Sequence, residues 1–297
     1  MTAHPDEPAP GPPLPAGAAD CHHHVYDPRW PVDPRATLRP SGGTVAEYRA
    51  LQRRLGLRRH VVVQPSTYGT DNTGLVEALA VFGDEARGVA VVDASVSDAE
   101  LSRLDRAGVR GIRFNLRLPA GAEPDALSAL AARVGELGWH VQLNAGADQL
   151  VALRPVLEGL AAPLVLDHLG HLPSPHHPGF EAVQRLVGSG RAWVKLSGAY
   201  IGSAVGAPTY ADRGAVARAL AALAPERLVW GTDWPHPSEQ EPPDTAGLLR
   251  LVADWAPDEA VRRRILVDNP EVLYGFPAAA RPALARQGNA QGEDITL

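Results

Sequence analysis

Eight short strand-like runs, most of them rich in valine, leucine and isoleucine, recur along this chain, and longer stretches with apolar residues at helical spacing separate them. The strand candidates are 19–26, 60–64, 88–93, 111–116, 140–144, 164–168, 192–197 and 228–232. The helix candidates are 45–55, 72–82, 98–107, 124–137, 148–160, 179–187, 212–223 and 244–256, several opened by Asp, Asn or Pro where a cap or first-turn residue belongs. The runs VVVQ, VAVVD and LVLDH are apolar on both faces, as strands of a covered parallel sheet must be. Eight such strands with helical crossovers predict one (β/α)8 barrel of the TIM type. A doubly wound open sheet gives a similar alternation, so the placement of chemistry has to discriminate.

That placement favours the barrel. Polar side chains gather where the strand candidates end: His22 and His24, Gln64 and Ser66, Asp93, Arg113 and Asn115, Gln142 and Asn144, Asp167 and His168, Lys195 and Ser197, and Asp233. In a (β/α)8 barrel those ends form the catalytic mouth, whereas a core-filling pattern does not repeat this way.

The 297 residues are 45% hydrophobic and 21% charged, enough to bury one large core over 18–276. Segments 1–17 and 277–297 lack sustained periodicity and are expected to be flexible or surface-draped extensions. A net charge of −6 without a basic stripe argues against a nucleic-acid partner. No stretch of eighteen apolar residues suggests a membrane span, the opening does not read as a secretory signal, and the single Cys21 fits a reducing compartment. The expectation is a cytoplasmic protein with a small-molecule partner; oligomeric state is left open, a homo-oligomer included.

The densest chemistry lies in ADCHHHVYDP, residues 19–28. On a strand His22 and His24 point to one face, into the barrel, while Cys21 and His23 are expected to point outward to the helices. Imidazoles converging on one spot either hold a metal or form a cluster of acids and bases. Asp20, His168 and Asp233 strengthen that reading.

With these residues in view the chain resembles the amidohydrolase superfamily, and within it the 2-pyrone-4,6-dicarboxylate lactonase-like branch, which includes sugar lactonases and sulfomuconolactone hydrolases. The resemblance rests on Asp20-Cys-His-His-His-Val25, QPSTYGTDN from Gln64, GIRFN from Gly111, LDHLG from Leu166, KLSGAY from Lys195, GTDWPHP from Gly231 and NPEVLYGF from Asn269. It implies a distorted barrel with Asp233 as the base that activates water. It also implies that His22, His24 and His168 polarise a carbonyl or bind a divalent ion. Binuclear members need a bridging group from strand four or five, and Arg113, Asn115, Gln142 and Asn144 offer none. A single zinc or manganese ion on His22, His24, His168 and Asp233, or metal-independent catalysis, both remain open.

For the substrate pocket, Arg113 and Arg117 suit a carboxylate or sulfonate, with pairing of Arg113 to a barrel carboxylate as the structural alternative. Ser66, Tyr68, Asn115 and Asn144 are expected to supply hydrogen bonds, and His236 in WPHP to orient a ligand or serve as a second acid. Lys195, if buried, demands a partner such as Asp167. Two positions depart from the pyrone-lactonase pattern: Asn144 replaces a usual tyrosine, and Ile201 stands where an arginine follows the strand-seven motif. The substrate expected is therefore a lactone with one acidic group, or a different cyclic ester. Metal-dependent, non-oxidative decarboxylation of an aromatic or unsaturated acid is the alternative reaction, and a non-catalytic binding barrel the alternative class.

Overall fold

The computed structural model describes residues 13–40, 42–118 and 126–279. Most of both terminal extensions and the start of the helix expected at 124 lie outside the described residues. Eight strands, β1 (Ala19–His23), β2 (Arg59–Val63), β3 (Ala86–Ala90), β4 (Val109–Asn115), β5 (His140–Asn144), β6 (Leu164–Leu166), β7 (Ala192–Leu196) and β8 (Leu228–Trp230), form one parallel sheet in sequence order. Helices α1 (Val45–Leu55), α2 (Thr73–Phe82), α3 (Asp98–Arg106), α4 (Leu127–Gly135), α5 (Ala147–Glu158), α6 (Pro178–Gly188), α7 (Ala211–Leu223) and α8 (Thr245–Trp255) follow the strands in turn. The expected (β/α)8 architecture is the one observed. Two short helices, α9 (Glu259–Arg263) and α10 (Asn269–Tyr274), joined by a π-helical turn, were not predicted as helix. Among the described residues no helix is long and apolar enough to cross a membrane.

The ring closes through a different device from ladder pairing. His23 makes an isolated parallel bridge to Trp234; Asp233 N donates to His22 O at 2.7 Å and His24 N to Trp234 O at 2.8 Å. Beneath this seam Asp20 accepts from His22 N, Tyr48 Oη, Thr232 N and Thr232 Oγ1 at 2.7–3.0 Å, tying β1 to α1 and β8. Asp20 is thus a closure pin outside the reaction site. A Cβ on Gly231 would stand 2.6 Å from His22 Cβ, so only glycine permits the approach.

Alternate strand residues separate into two packed sets. Ala19, Cys21, Val61, Val63, Val89, Val165, Trp193 and Val229 fill the bore with Tyr274 and Phe276, and the Tyr274 ring stands edge-on to His140, the first residue of β5. The other set, including Val62, Ile112, Leu166 and Leu196, packs with the helices.

Cys21 therefore faces inward, against the expectation of an outward thiol. The cause is a register shift in β1 between Asp20 and His23, which turns both Cys21 and His22 into the bore before alternation resumes. His23 does point outward, stacked on Tyr48 at 3.4 Å between ring centres and paired to His60 Nδ1 at 2.8 Å.

Candidate active site

The bulge in β1 delivers His22 and His24 to the mouth at the C-terminal ends of the strands, where the β6 and β8 loops bring His168 and Asp233. One oxygen of Asp233, Oδ1, lies 3.5 Å from His22 Nε2, 3.6 Å from His24 Nε2 and 3.9 Å from His168 Nε2. All four residues are buried. The backbone is strained where it presents them: His168, Leu169, His171, Asp233 and His236 all have φ between 49° and 63° without being glycine. Such conformations cost about 1–3 kcal/mol each and persist where the surrounding structure over-determines them.

Partners on the far side of each ring set what the near side offers. His24 Nδ1 lies 2.8 Å from Val63 O, an atom that only accepts, so Nδ1 carries a proton and Nε2 is the atom turned to Asp233. His168 Nδ1 meets Ser197 Oγ at 3.0 Å. His22 Nε2 has no partner among the described residues, while its Nδ1 sits 3.3 Å from Asp167 Oδ1. Burial and the nearby Lys195 cation hold the His22 imidazole well below its ordinary pKa. Burial pushes the Asp233 carboxyl up, but His168, His24 and His22 outweigh it and keep the group ionised. Its other oxygen, Oδ2, accepts a 2.6 Å hydrogen bond from Tyr200 Oη.

Under this cluster lies a charged floor. Asp167 Oδ2 accepts from Arg113 Nε at 3.0 Å and Gln142 Nε2 at 3.1 Å. Lys195 Nζ donates to Gln142 Oε1 at 2.6 Å and Cys21 O at 2.9 Å, with Asp167 Oδ1 at 3.8 Å. Burial lowers Lys195 to about 8, so it is still a cation at neutral pH. The buried lysine has the carboxylate partner its sequence context demanded. Arg113 is both things anticipated for it: its Nε is tied to Asp167, yet the side chain lines the open cavity.

That cavity, about 240 Å³, is lined by His24, His168 and Asp233 at its base and by Ser66, Arg113, Asn115, Arg117 and Asn144 on its walls. Tyr26, Thr67, His171 and Ile201 line it as well. Two expected ligand contacts lie elsewhere. Tyr68 is not in the lining; its hydroxyl sits on the backbone of Asp27, 3.0 Å from N and 3.2 Å from O. His236 packs behind Asp233, edge-on to Tyr200, with Nε2 on Thr245 Oγ1 at 2.9 Å. Asn72, another residue of QPSTYGTDN, spends its amide on the backbone of Val91. Sequence reasoning missed Tyr200 and His171, although both sit inside the quoted motifs KLSGAY and LDHLG or directly after them.

His22, His24 and Asp233 each offer one ligand atom, all within 4.8 Å of one another, and so do His22, Asp167 and His168. Two imidazole nitrogens, one of them buried without a hydrogen-bond partner among the described residues, and a carboxylate oxygen converge there. That donor set fits a divalent cation.

A closed parallel barrel with imidazoles and a carboxylate gathered at its C-terminal mouth is the arrangement of a (β/α)8 enzyme. The chain belongs to the amidohydrolase family, whose model matches residues 19–276. It is 36% identical over 275 residues to D-galactarolactone isomerase of Agrobacterium fabrum, covering 90% of this chain and 94% of that protein. It is 37% identical to 2-pyrone-4,6-dicarboxylate hydrolase of Comamonas testosteroni, covering 88% and 91%. Identity to 4-sulfomuconolactone hydrolase of Rhizobium radiobacter is 34%, covering 88% and 91%. An apo crystal structure from Agrobacterium tumefaciens superposes with a TM-score of 0.85 at 34% identity, over 91% of this chain and all of that one.

Proposed function

We propose that this enzyme opens a small lactone bearing an acidic group by adding water across the ring ester. One observation carries the reading: Asp233 Oδ1 faces three imidazoles in the same cavity that Arg113 lines. The three curated relatives above act, by their names, on lactones or a pyrone, and all three substrates carry carboxylate or sulfonate groups, which supports the same chemistry here.

The chain's own residues account for each step. Water binds against Asp233 Oδ1 and His24 Nε2, and the carboxylate takes its proton as the oxygen adds to the carbonyl carbon. His168 acts in the tautomer that carries its proton on Nε2, with Nδ1 accepting from Ser197 Oγ 3.0 Å away, and gives a hydrogen bond to the oxyanion. The ring C–O bond then breaks, and Asp233 returns the proton to the departing oxygen. Arg113, held by Asp167 through Nε, keeps the rest of its guanidinium for the substrate carboxylate, with Arg117 beside it. His22, His24 and Asp233, with His168 adjacent, would hold one divalent ion, of zinc or manganese type by ligand chemistry. When bound, such an ion supplies Lewis acidity to the carbonyl and lowers the pKa of water.

The test is a panel of acidic lactones incubated with enzyme, with and without chelator, and the products identified by NMR. A ring-opened acid is expected. Recovery of intact or merely rearranged lactone, or release of CO2 from carboxylated aromatics instead, would overturn the hydrolytic reading.

A further inference from the structure

One wall of the cavity is a continuous chain of hydrogen bonds, and its polarity can be read from one end. The backbone N–H of Arg117, which can only donate, points at Asn115 Oδ1 from 3.1 Å. That fixes the Asn115 amide: its Nδ2 must be the atom facing Ser66 Oγ at 2.8 Å, so the serine oxygen accepts and its proton is free to donate elsewhere. The Asn144 atom 3.1 Å from Asn115 Oδ1 must likewise be a donor, its Nδ2, which turns Asn144 Oδ1 toward His171 Nε2 at 2.6 Å. A carbonyl oxygen cannot donate, so His171 carries its proton on Nε2. Its Nδ1 is then a bare acceptor, with no partner among the described residues, on a side chain that lines the cavity.

A lone pair at this place is satisfied by a hydroxyl proton. A carboxylate or an unsaturated ring edge brings no proton and leaves the nitrogen desolvated without a partner.

We infer that His171 is a specificity-determining residue that reads a substrate hydroxyl, so that the preferred substrate is a hydroxylated lactone acid rather than a flat, unsaturated one. Ser66 supplies the complementary donor on the same wall, and Arg113 and Arg117 take the acidic group. The inference rests on the lactone reading above and narrows it to lactone acids that carry a hydroxyl within reach of His171 Nδ1.

The experiment compares two probes, galactarolactone and the unhydroxylated γ-butyrolactone-γ-carboxylate, on the native enzyme and on His171→Phe. The native enzyme should show kcat/KM at least tenfold higher for the hydroxylated probe, the size of one hydrogen bond to a group otherwise left unpaired. In His171→Phe the KM for galactarolactone should rise about tenfold and the unhydroxylated probe should lose far less, so that the native preference between the two collapses. Equal losses on both probes, or a native enzyme indifferent to the hydroxyls, overturn the inference. The comparison on native enzyme stands even where the variant does not fold. Were neither lactone opened, the hydrolytic reading would fail by itself, and calorimetric binding of the same probes to the native protein would decide this one: tighter binding of galactarolactone sustains it, equal binding ends it.

Discussion

Tyr200 Oη donates to Asp233 Oδ2 at 2.6 Å, on the side of the carboxylate turned away from the histidines, which face Oδ1. The two oxygens of one carboxylate therefore have separate tasks. Burial and the adjacent carboxylate hold the Tyr200 hydroxyl well above its ordinary pKa, so it stays a donor. Replacing it in Tyr200→Phe frees the carboxylate to rotate and removes one charge-assisted bond. We expect kcat to fall about ten- to a hundredfold, the value of roughly 1.5–3 kcal/mol for such a bond, with KM little changed. Steady-state kinetics checks this; a rise in KM alone would assign Tyr200 to substrate binding instead.

Asp233→Asn keeps shape and removes the carboxylate proposed to take the proton from water. General-base contributions of about 10²–10⁴ set the expected loss in kcat. Arg113 and its Asp167 anchor are untouched, so calorimetry should find the Kd for an acidic lactone within about threefold of the native value. Turnover that survives this change would move the base elsewhere in the cavity.

Asp167 neutralises two buried cations, Arg113 and Lys195, and burial of its own charge is outweighed by His22, Arg113 and Lys195, which hold it ionised. Asp167→Asn leaves both cations without their anion in a sealed bore. Breaking a buried pair in this way costs about 3–5 kcal/mol, to be measured as a shift in urea midpoint. KM should rise as well, since Arg113 loses the contact that aims it. A variant as stable as the native chain would mean that water reaches the floor.

How much of this was legible in the sequence follows from where local rules hold. The eight strands were readable because their apolar runs are covered on both faces, and the gathering of His22, His24, His168 and Asp233 followed from barrel topology. Cys21 was misplaced because a bulge is set by pairing with β2 and by closure against the β8 loop, neither of which a period of two can express. His171 escaped notice because three consecutive left-handed residues, His168 to Gly170, turn it back toward the mouth, and no strand or helix periodicity covers such a hook. Tyr68 was expected in the pocket because it shares a motif with Ser66; a 3-10 turn over Ser66–Tyr68 sends the two side chains different ways. Asp20, two residues before His22, looked like part of the reaction centre until its four donors showed it to be a structural pin.

Buried imidazoles also give the fold a pH dependence with a definite sign. Burial, aided by Arg49, lowers His60 to about 3, and burial with Lys195 lowers His140 to about 3. In the unfolded chain both titrate near 6.5, so between pH 6.5 and 3 the unfolded state binds protons that the folded state refuses, and stability falls as pH falls. At pH 5 each histidine removes about 2 kcal/mol relative to neutral pH. Asp20 acts in the opposite direction: burial raises it to about 6 against four hydrogen bonds, so below that pH the folded state holds a proton the unfolded chain releases. Its gain at pH 5 is about 1 kcal/mol, smaller than the combined histidine loss. The melting temperature should therefore drop between pH 7 and pH 5, and the drop should shrink in a His140→Gln variant, whose side chain has no charge to acquire. A melting temperature that is flat or rising on acidification would show that these rings are hydrated in the folded protein.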